Sequence, residues 1–262
     1  MDKIKSLKII KIGGNVIDDP IALTSFLTTF SSVEGPKILV HGGGKSATVL
    51  AQQTGLDVQM VDGRRITDAA TLELITMVYA GKINKTIVAQ LQALDCNALG
   101  FTGADANTIT SEKRPVSTLD YGFVGDVKKV ETSTLELLLE HGLSPVFCAL
   151  THDKNGQILN TNADTIASEL AIAFATQFDV ELYYCFEKKG VLKDVNDETS
   201  VIQTITKSSY KKLLDSQLIF SGMLPKLNNC FHALEHQVSK VCIGKPEMLL
   251  DSEAIFTTLT IQ

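Results

Sequence analysis

Short apolar runs alternate along this chain with longer segments whose apolar residues recur every three or four positions. The runs LKIIKI (7–12), KILVH (37–41), ALGF (98–101), SPVFCAL (144–150) and VELYYCF (180–186) are rich in β-branched and aromatic residues. Their shortness and composition predict buried strands, with further strands at 240–243 and 255–260. Helices are expected at 21–30 and at 45–54, the latter with Val49 and Leu50 inward. Thr67 can cap a third helix, in which Leu72, Ile75, Met77 and Val78 recur on one side. Gly81 interrupts that pattern and 83–94 continues it; 133–141, 163–175, 206–215 and 225–237 complete the set. In 163–175, Ile166, Leu170 and Phe174 repeat beside Ala163, Ala167 and Ala171, as in a helix packed closely through small residues. Residues 105–130 break the alternation with Pro115 and turn residues and predict a hairpin insertion. Asn155-Gly156 predicts a second hairpin turn. Strand–helix alternation of this kind implies an α/β fold: a mainly parallel central sheet with helices on both faces, an open sandwich. A second, nucleotide-sized unit is expected to begin near residue 178.

Composition narrows the class. The 262 residues are 44% hydrophobic and 21% charged, ordinary for a folded domain, and the net charge of −6 argues against nucleic acid as a partner. No run approaches the roughly 20 apolar residues of a membrane helix. The opening MDKIKSLKIIKIGG alternates Lys with apolar residues instead of carrying a signal peptide's apolar stretch, so it reads as a first strand and a cytoplasmic protein is expected. Five scattered cysteines without a CxxC pair fit reduced thiols. Cys230, His232 and His236 raise a metal site as an alternative, but an amphipathic helix with histidines on its wet side accounts for them.

The stretch KILVHGGGKSATVLAQQ (37–53) asks what anion its glycines hold. A P-loop needs a glycine where Leu39 stands, so GKS at 44–46 is not one. Gly42, Gly44 and Ala47, with Asp62 further on, satisfy a dinucleotide fingerprint. That fingerprint normally follows the first strand, however, and here KIGGN (11–15) precedes it with the same strand–glycine–helix grammar. Two such loops at one sheet edge can hold two anions, or the two ends of one transfer, through backbone N–H groups and helix N-termini. Either loop can also be only a tight turn.

Other residues fit phosphoryl transfer. Lys11 ends the first strand, where ligands of open α/β sheets bind. Lys226 opens a helix, against the helix dipole. Asp164, in NTNAD (160–164), reads equally as a helix cap or a site residue, and Arg65 as a carboxylate fork or a surface charge. Phosphoryl transfer needs alignment and charge neutralisation more than covalent help, and a carboxylate acceptor needs no base.

In order and spacing, KIGG (11–14), VHGGG (40–44), DGRRIT (62–67), FVGDV (123–127), NTNAD (160–164) and SGMLPKL (221–227) resemble the N-acetylglutamate kinases of the amino acid kinase family, over nearly the whole chain. The resemblance implies two lobes, an N-terminal one at 1–178 for acyl-glutamate binding and dimerisation and a C-terminal one at 179–262 for ATP, with Mg²⁺ carried on the nucleotide. It implies Lys11 and Lys226 beside the transferred phosphoryl and Asp164 holding both. It implies substrate contacts from Gly43, Gly44, Arg65, Asn160 and Asn162, and phosphate or ATP contacts from Gly13, Gly14, Glu187, Gly190 and Met223. The implied reaction makes N-acetyl-L-glutamyl 5-phosphate, an early step of arginine synthesis, in a homodimer that binds small molecules and neither nucleic acid nor membrane.

Two blocks depart from the family pattern. CFEKKGVL (185–192) has Glu187 near a usual aspartate, with Lys188 and Lys189 added, and TGADAN (102–107) has Ala104 where a lysine is common. The second departure leaves acetyl and succinyl acceptors both open. Only about six residues precede the first strand, so the N-terminal helix of arginine-inhibited members is not expected, nor strong arginine feedback. A non-catalytic ligand sensor is the reading from another class, and intact Lys11, Lys226 and Asp164 argue against it.

Overall fold

The structure, a computed structural model, describes residues 5–61, 64–194, 196–215 and 223–261. The chain starts with β1 (Ser6–Ile12), α1 (Gly14–Asp18), α2 (Pro20–Ser32), β2 (Lys37–His41) and α3 (Gly44–Gln53). A small ribbon, β3 (Met60–Val61) and β4 (Arg64–Arg65), leads to α4 (Ala69–Thr76) and α5 (Asn84–Gln92), joined by a π-helical stretch over Met77–Ile83. Next come β5 (Ala98–Phe101), β6 (Ile109–Lys113), β7 (Gly125–Val130), α6 (Ser133–Glu140) and β8 (Ser144–Cys148). They are followed by β9 (Leu150–His152), β10 (Ile158–Asn160), α7 (Ala163–Phe174) and β11 (Asp179–Cys185). The chain closes with β12 (Thr204–Thr206), α8 (Lys207–Asp215), α9 (Leu224–Glu235), β13 (Lys240–Gly244) and β14 (Thr257–Thr260).

One sheet runs β12-β14-β13-β11-β1-β2-β8-β5, parallel throughout except where β14 lies antiparallel to β13. Leu7, Ile9, Ile10 and Ile12 of β1 are all fully buried, so both faces of the central strand are covered. Lys11 reaches α7, which places Leu7 and Ile9 on that same face and Ile10 and Ile12 on the other, because side chains alternate along a strand. The α/β sandwich read from the sequence is the observed fold. β1 lies between β2 and β11, so residues before and after position 178 share this sheet. The 105–130 insertion is the antiparallel pair β6–β7, and it joins the hairpin β9–β10 in a second sheet of order β10-β9-β6-β7. Among the described residues no helix is long and apolar enough to cross a membrane.

Three expectations are corrected. In α3 the buried residues are Ala47 and Ala51, with Leu50 partly buried, while Val49 points outward at 50% exposure. Thr67 does not cap α4: Asp68 does, its Oδ1 accepting from Thr71 N at 2.8 Å, and Thr67 is fully buried. Gly81 does not interrupt the helix, because the wider π-helical turn carries the chain through it. Met77 points outward at 58% exposure, because at 3.6 residues per turn it lies about 200° around the helix from Ile75, away from the side that Leu72, Ile75 and Val78 share.

Candidate active site

β1, β2 and β11 run parallel, so the loops leaving them open at one edge of the sheet, between strands whose crossovers go opposite ways. Ligands of open α/β sheets bind at such a point. Lys11 is the penultimate residue of β1. Its ammonium lies 2.7 Å from Asp164 Oδ1, and that of Lys226 lies 2.9 Å from Asp164 Oδ2. The three side chains come from a strand and from two helices, α7 and α9, and are only 12–16% exposed. Burial alone would push the Asp164 carboxyl up, but the two ammonium groups outweigh it and hold it well below the usual carboxylate range. Lys11 is pushed below the ordinary lysine value chiefly by burial, which Asp164 only partly offsets, and Lys226 adds to the lowering. With both ammoniums protonated, the cluster keeps one uncompensated positive charge in a nearly dry crevice. An arriving anion is the natural complement.

Asp164 is free for this work because it is not the helix cap. Asn162 caps α7, its Oδ1 accepting from Asp164 N at 2.7 Å and Thr165 N at 3.3 Å. Asp164 therefore sits in the first turn, where the helix dipole also favours its charge. Tyr184, level with Lys11 in the β1–β11 register, completes the floor of the cluster. Its hydroxyl donates to the Asp164 carbonyl at 3.0 Å, and its ring centroid lies 4.9 Å from Lys226 Nζ.

The two glycine loops are tied to each other. Ser46 donates to Asp18, and Lys45 Nζ donates to Asn15 Oδ1 at 3.3 Å, which joins the helices that follow each loop. Gly13 N donates to Cys185 O at 3.1 Å and so belongs to the sheet edge; Gly14 opens α1. Gly43 must be glycine: an added Cβ would lie 2.5 Å from Ile83 Cδ1 and 2.9 Å from Tyr79 Cδ1. The loop is also held from behind. His41, fully buried, pairs through Nδ1 with Gly42 O at 2.8 Å and through Nε2 with Asn84 Nδ2 at 3.0 Å. Asn84 Nδ2 also donates to Val146 O at 2.9 Å. An amide nitrogen can only donate, so Nε2 accepts and Nδ1 carries the hydrogen. Burial pushes the imidazole down to about 4, which keeps it neutral. In a trans peptide the N–H points opposite to the C=O, so holding the Gly42 carbonyl inward turns the Gly43 N–H away from the core.

Arg65 is buried, and its Nη2 donates to Gly44 O and Thr48 Oγ1, each at 2.8 Å. Among the described residues, its buried Nη1 has no hydrogen-bond partner. A buried guanidinium with an unfilled donor is a ready seat for a carboxylate. Asn160 Nδ2 donates to Thr67 Oγ1 at 2.9 Å, which fixes the end of β10 against the start of α4. Lys11, Asp164 and Lys226 are thus brought together, with Asn162 supporting them, while Gly43, Gly44 and Arg65 form a second group around α3.

On the far side of β1, Glu187 is exposed in the loop after β11, where Lys188 pairs with Glu198 at 2.8 Å. Gly190 is buried, and a Cβ there would meet Thr257 Oγ1 at 2.6 Å and Val201 Cγ1 at 2.7 Å, so close packing explains it. Met223 precedes α9 and packs against the core. Asp62, the ribose ligand of the dinucleotide alternative, and Ser221-Gly222 of the last block lie outside the described residues. Cys230 is fully buried, while His232 lies 3.6 Å from Glu169. Among the described residues no group of three His, Cys, Asp or Glu side chains could hold a metal. The sequence reading missed His41, Tyr79, Asn84 and Tyr184. A lone histidine closing an otherwise apolar strand was the available signal for the first; the others announce themselves only through tertiary contact.

The profile of the amino acid kinase family matches residues 6–245. An acetylglutamate kinase of Cytophaga hutchinsonii is 57% identical over 248 residues, covering 94% of each chain. One from Bacteroides thetaiotaomicron is 52% identical, over 95% of this chain and 97% of that one. Among solved structures, smu.665 of Streptococcus mutans superposes with a TM-score of 0.79 at 24% identity, over 98% of this chain and 99% of that one. The N-acetylglutamate synthase of Neisseria gonorrhoeae does so with 0.82 at 19%, over 98% of this chain and 60% of that one, a likeness of fold. The twin-lysine cluster, the paired glycine loops and these matches lead to one conclusion: the chain belongs to the amino acid kinase family.

Proposed function

We propose that this protein transfers the γ-phosphoryl group of ATP to the side-chain carboxylate of N-acetyl-L-glutamate. The products are N-acetyl-L-glutamyl 5-phosphate and ADP, and the reaction is an early step of arginine biosynthesis. The observation that carries the reading is the Lys11–Asp164–Lys226 cluster at the carboxyl edge of the sheet. A carboxylate oxygen forms a bond to the γ-phosphorus as the bond to the ADP oxygen breaks. The acceptor is already ionised, so no proton has to be removed, and the problem is the charge on the three oxygens in flight. Lys11 and Lys226, spread across the two oxygens of one carboxylate, are spaced to meet that charge from two directions, and Asp164 keeps them apart. Relatives at more than 50% identity that carry the name acetylglutamate kinase support this choice of acceptor.

The remaining roles follow the geometry. The unfilled Nη1 of Arg65 takes the amino-acid carboxylate, and Asn160 and Asn162 border the acyl-glutamate. Gly43 and Gly44 offer backbone donors from the substrate side and Gly14 from the nucleotide side, with Gly13 shaping its turn. Glu187, Gly190 and Met223 flank the nucleotide in the lobe that begins after residue 178. Mg²⁺, when bound, arrives on the ATP phosphates and neutralises part of their charge. The edge strand β5, on which Leu99 is exposed, and the neighbouring α5 present the face on which a homodimer would form.

Ligand-linked stability tests the nucleotide half of this reading, because only a ligand that favours the folded form raises its melting temperature. Mg-ADP is expected to raise it and NAD to leave it unchanged. Stabilisation by NAD alone would restore the dinucleotide alternative.

A further inference from the structure

The twin lysines share one carboxylate, yet their surroundings differ. Lys11 stands on a strand, and its stem is gripped by the sheet. Lys226 stands in the first turn of α9, and among the described residues its ammonium meets Asp164 Oδ2 at 2.9 Å and the face of Tyr184, 4.9 Å from nitrogen to ring centroid. Tyr184 is itself immobilised. It is 1% exposed, lies in the middle of the sheet between Lys11 of β1 and Ile243 of β13, and is anchored through its hydroxyl to the Asp164 carbonyl at 3.0 Å. Burial pushes its phenol well above the ordinary tyrosine value, so the hydroxyl stays a donor. One side chain therefore touches both members of the Asp164–Lys226 pair.

We propose that Tyr184 is a positioning residue for phosphoryl transfer, its ring face seating the Lys226 ammonium where the Asp164 carboxylate alone would leave it free to swing. The chemistry explains why an aromatic face suits this place. A second carboxylate would hold Lys226 as firmly but cancel the charge the lysine has to present. A ring attracts the ammonium through its quadrupole and leaves the formal charge intact for the phosphoryl oxygens. An aliphatic side chain would fill the same volume without directing the nitrogen. The ring takes up one direction around the ammonium and Asp164 another, so donor capacity is left for a phosphoryl oxygen.

The inference rests on the kinase reading above, and the test keeps the two apart. Turnover of Mg-ATP with N-acetyl-L-glutamate by the unmodified chain is measured first; none at all would overturn that reading and this one with it. Phenylalanine and its mono-, di- and trifluorinated analogues are then placed at position 184 of the full chain, since added fluorine weakens the ring's attraction for a cation at nearly constant shape. Tyr184→Phe is expected to keep kcat within about threefold of the parent. The fluorinated series is expected to lower kcat stepwise to about tenfold below Tyr184→Phe, which corresponds to about 1.4 kcal/mol of transition-state stabilisation, with KM for N-acetyl-L-glutamate unchanged. In a Lys226→Met background the same series is expected to be flat, because a residue that acts through Lys226 has nothing left to act on. A flat series in the parent, an equal slope in the Lys226→Met background, or an effect on KM alone would each overturn the proposal. Circular dichroism of each variant separates misfolding from a change in rate.

Discussion

At the residue scale the site divides into groups that act on the transition state and groups that act on binding. Lys226→Ala is expected to lower kcat by about 100-fold or more and to move KM for N-acetyl-L-glutamate by less than about twofold, since its charge matters most when the phosphoryl group is in flight. Arg65→Ala is expected to do the reverse, raising that KM by about 10- to 100-fold, the usual worth of a hydrogen bond to a charged group. Steady-state kinetics of the two variants checks both. His41 adds a pH dependence of stability. Its imidazole titrates near 6.5 when exposed in the unfolded chain, and burial pushes it down to about 4 in the fold. Between those values the unfolded chain binds more protons. Stability should therefore fall as pH drops through this window, by roughly 3 kcal/mol in all, and no further on this account below it. Asp164, held well below its usual range, contributes stability that is present above about pH 4 and lost only on the acid side of it, so the two windows are distinct. Urea midpoints from about pH 7 to about pH 4.5 are expected to decline in the parent and to be flatter in His41→Asn. Lys11, Asp164 and Lys226 were legible as letters in the sequence because strand ends and helix starts are where such chemistry sits. His41 offered only its place at the end of an apolar strand, with its partner 43 residues on, and Asn84 and Tyr184 offered nothing local, because their partners lie 62 and 20 residues away.

At the element scale the glycine loop depends on the helix behind it. Tyr79 and Ile83 belong to the π-helical stretch and leave no room for a side chain at Gly43. Gly43→Ala is expected to cost about 1–3 kcal/mol, the usual price of overpacking a tight contact, and to lower kcat by shifting the Gly43–Gly44 donors. Adding Ile83→Val removes the methyl that stands closest and is expected to recover part of the stability; thermal unfolding of the single and double variants measures it. β1 and β2 were readable because each is buried on both faces and stops at a glycine. The π-helical stretch was not, because periodicity assigns every position about 100° and a wider turn breaks that rule without a marker in the letters. For that reason Gly81 reads in the letters as an interruption, whereas Met77, about 200° around the helix from Ile75, is outward by ordinary helical spacing. The second sheet escaped for a related reason. Both hairpins were visible, but strand pairing between β6 and β9 joins segments that are distant in sequence and carries no local signal.

At the scale of the whole molecule, one sheet gathers strands from both ends of the chain so that Lys11, Asp164 and Lys226 meet at a single edge. The overall architecture was legible because alternating buried strands and helices admit few parallel arrangements. The acceptor was less so, since TGADAN closes on itself: Asp105 accepts from Thr102 N at 2.6 Å and from its hydroxyl at 2.7 Å, so the loop's one charged side chain is engaged within the loop. The most direct test is therefore ADP release from Mg-ATP, compared side by side with N-acetyl-L-glutamate, N-succinyl-L-glutamate, L-glutamate and L-aspartate. Turnover on N-acetyl-L-glutamate is expected well above that on the other three. Preference for the succinyl compound would keep the site and change its substrate, whereas turnover on none of the four would contradict the assignment of Lys11, Asp164 and Lys226 as a working phosphoryl-transfer centre.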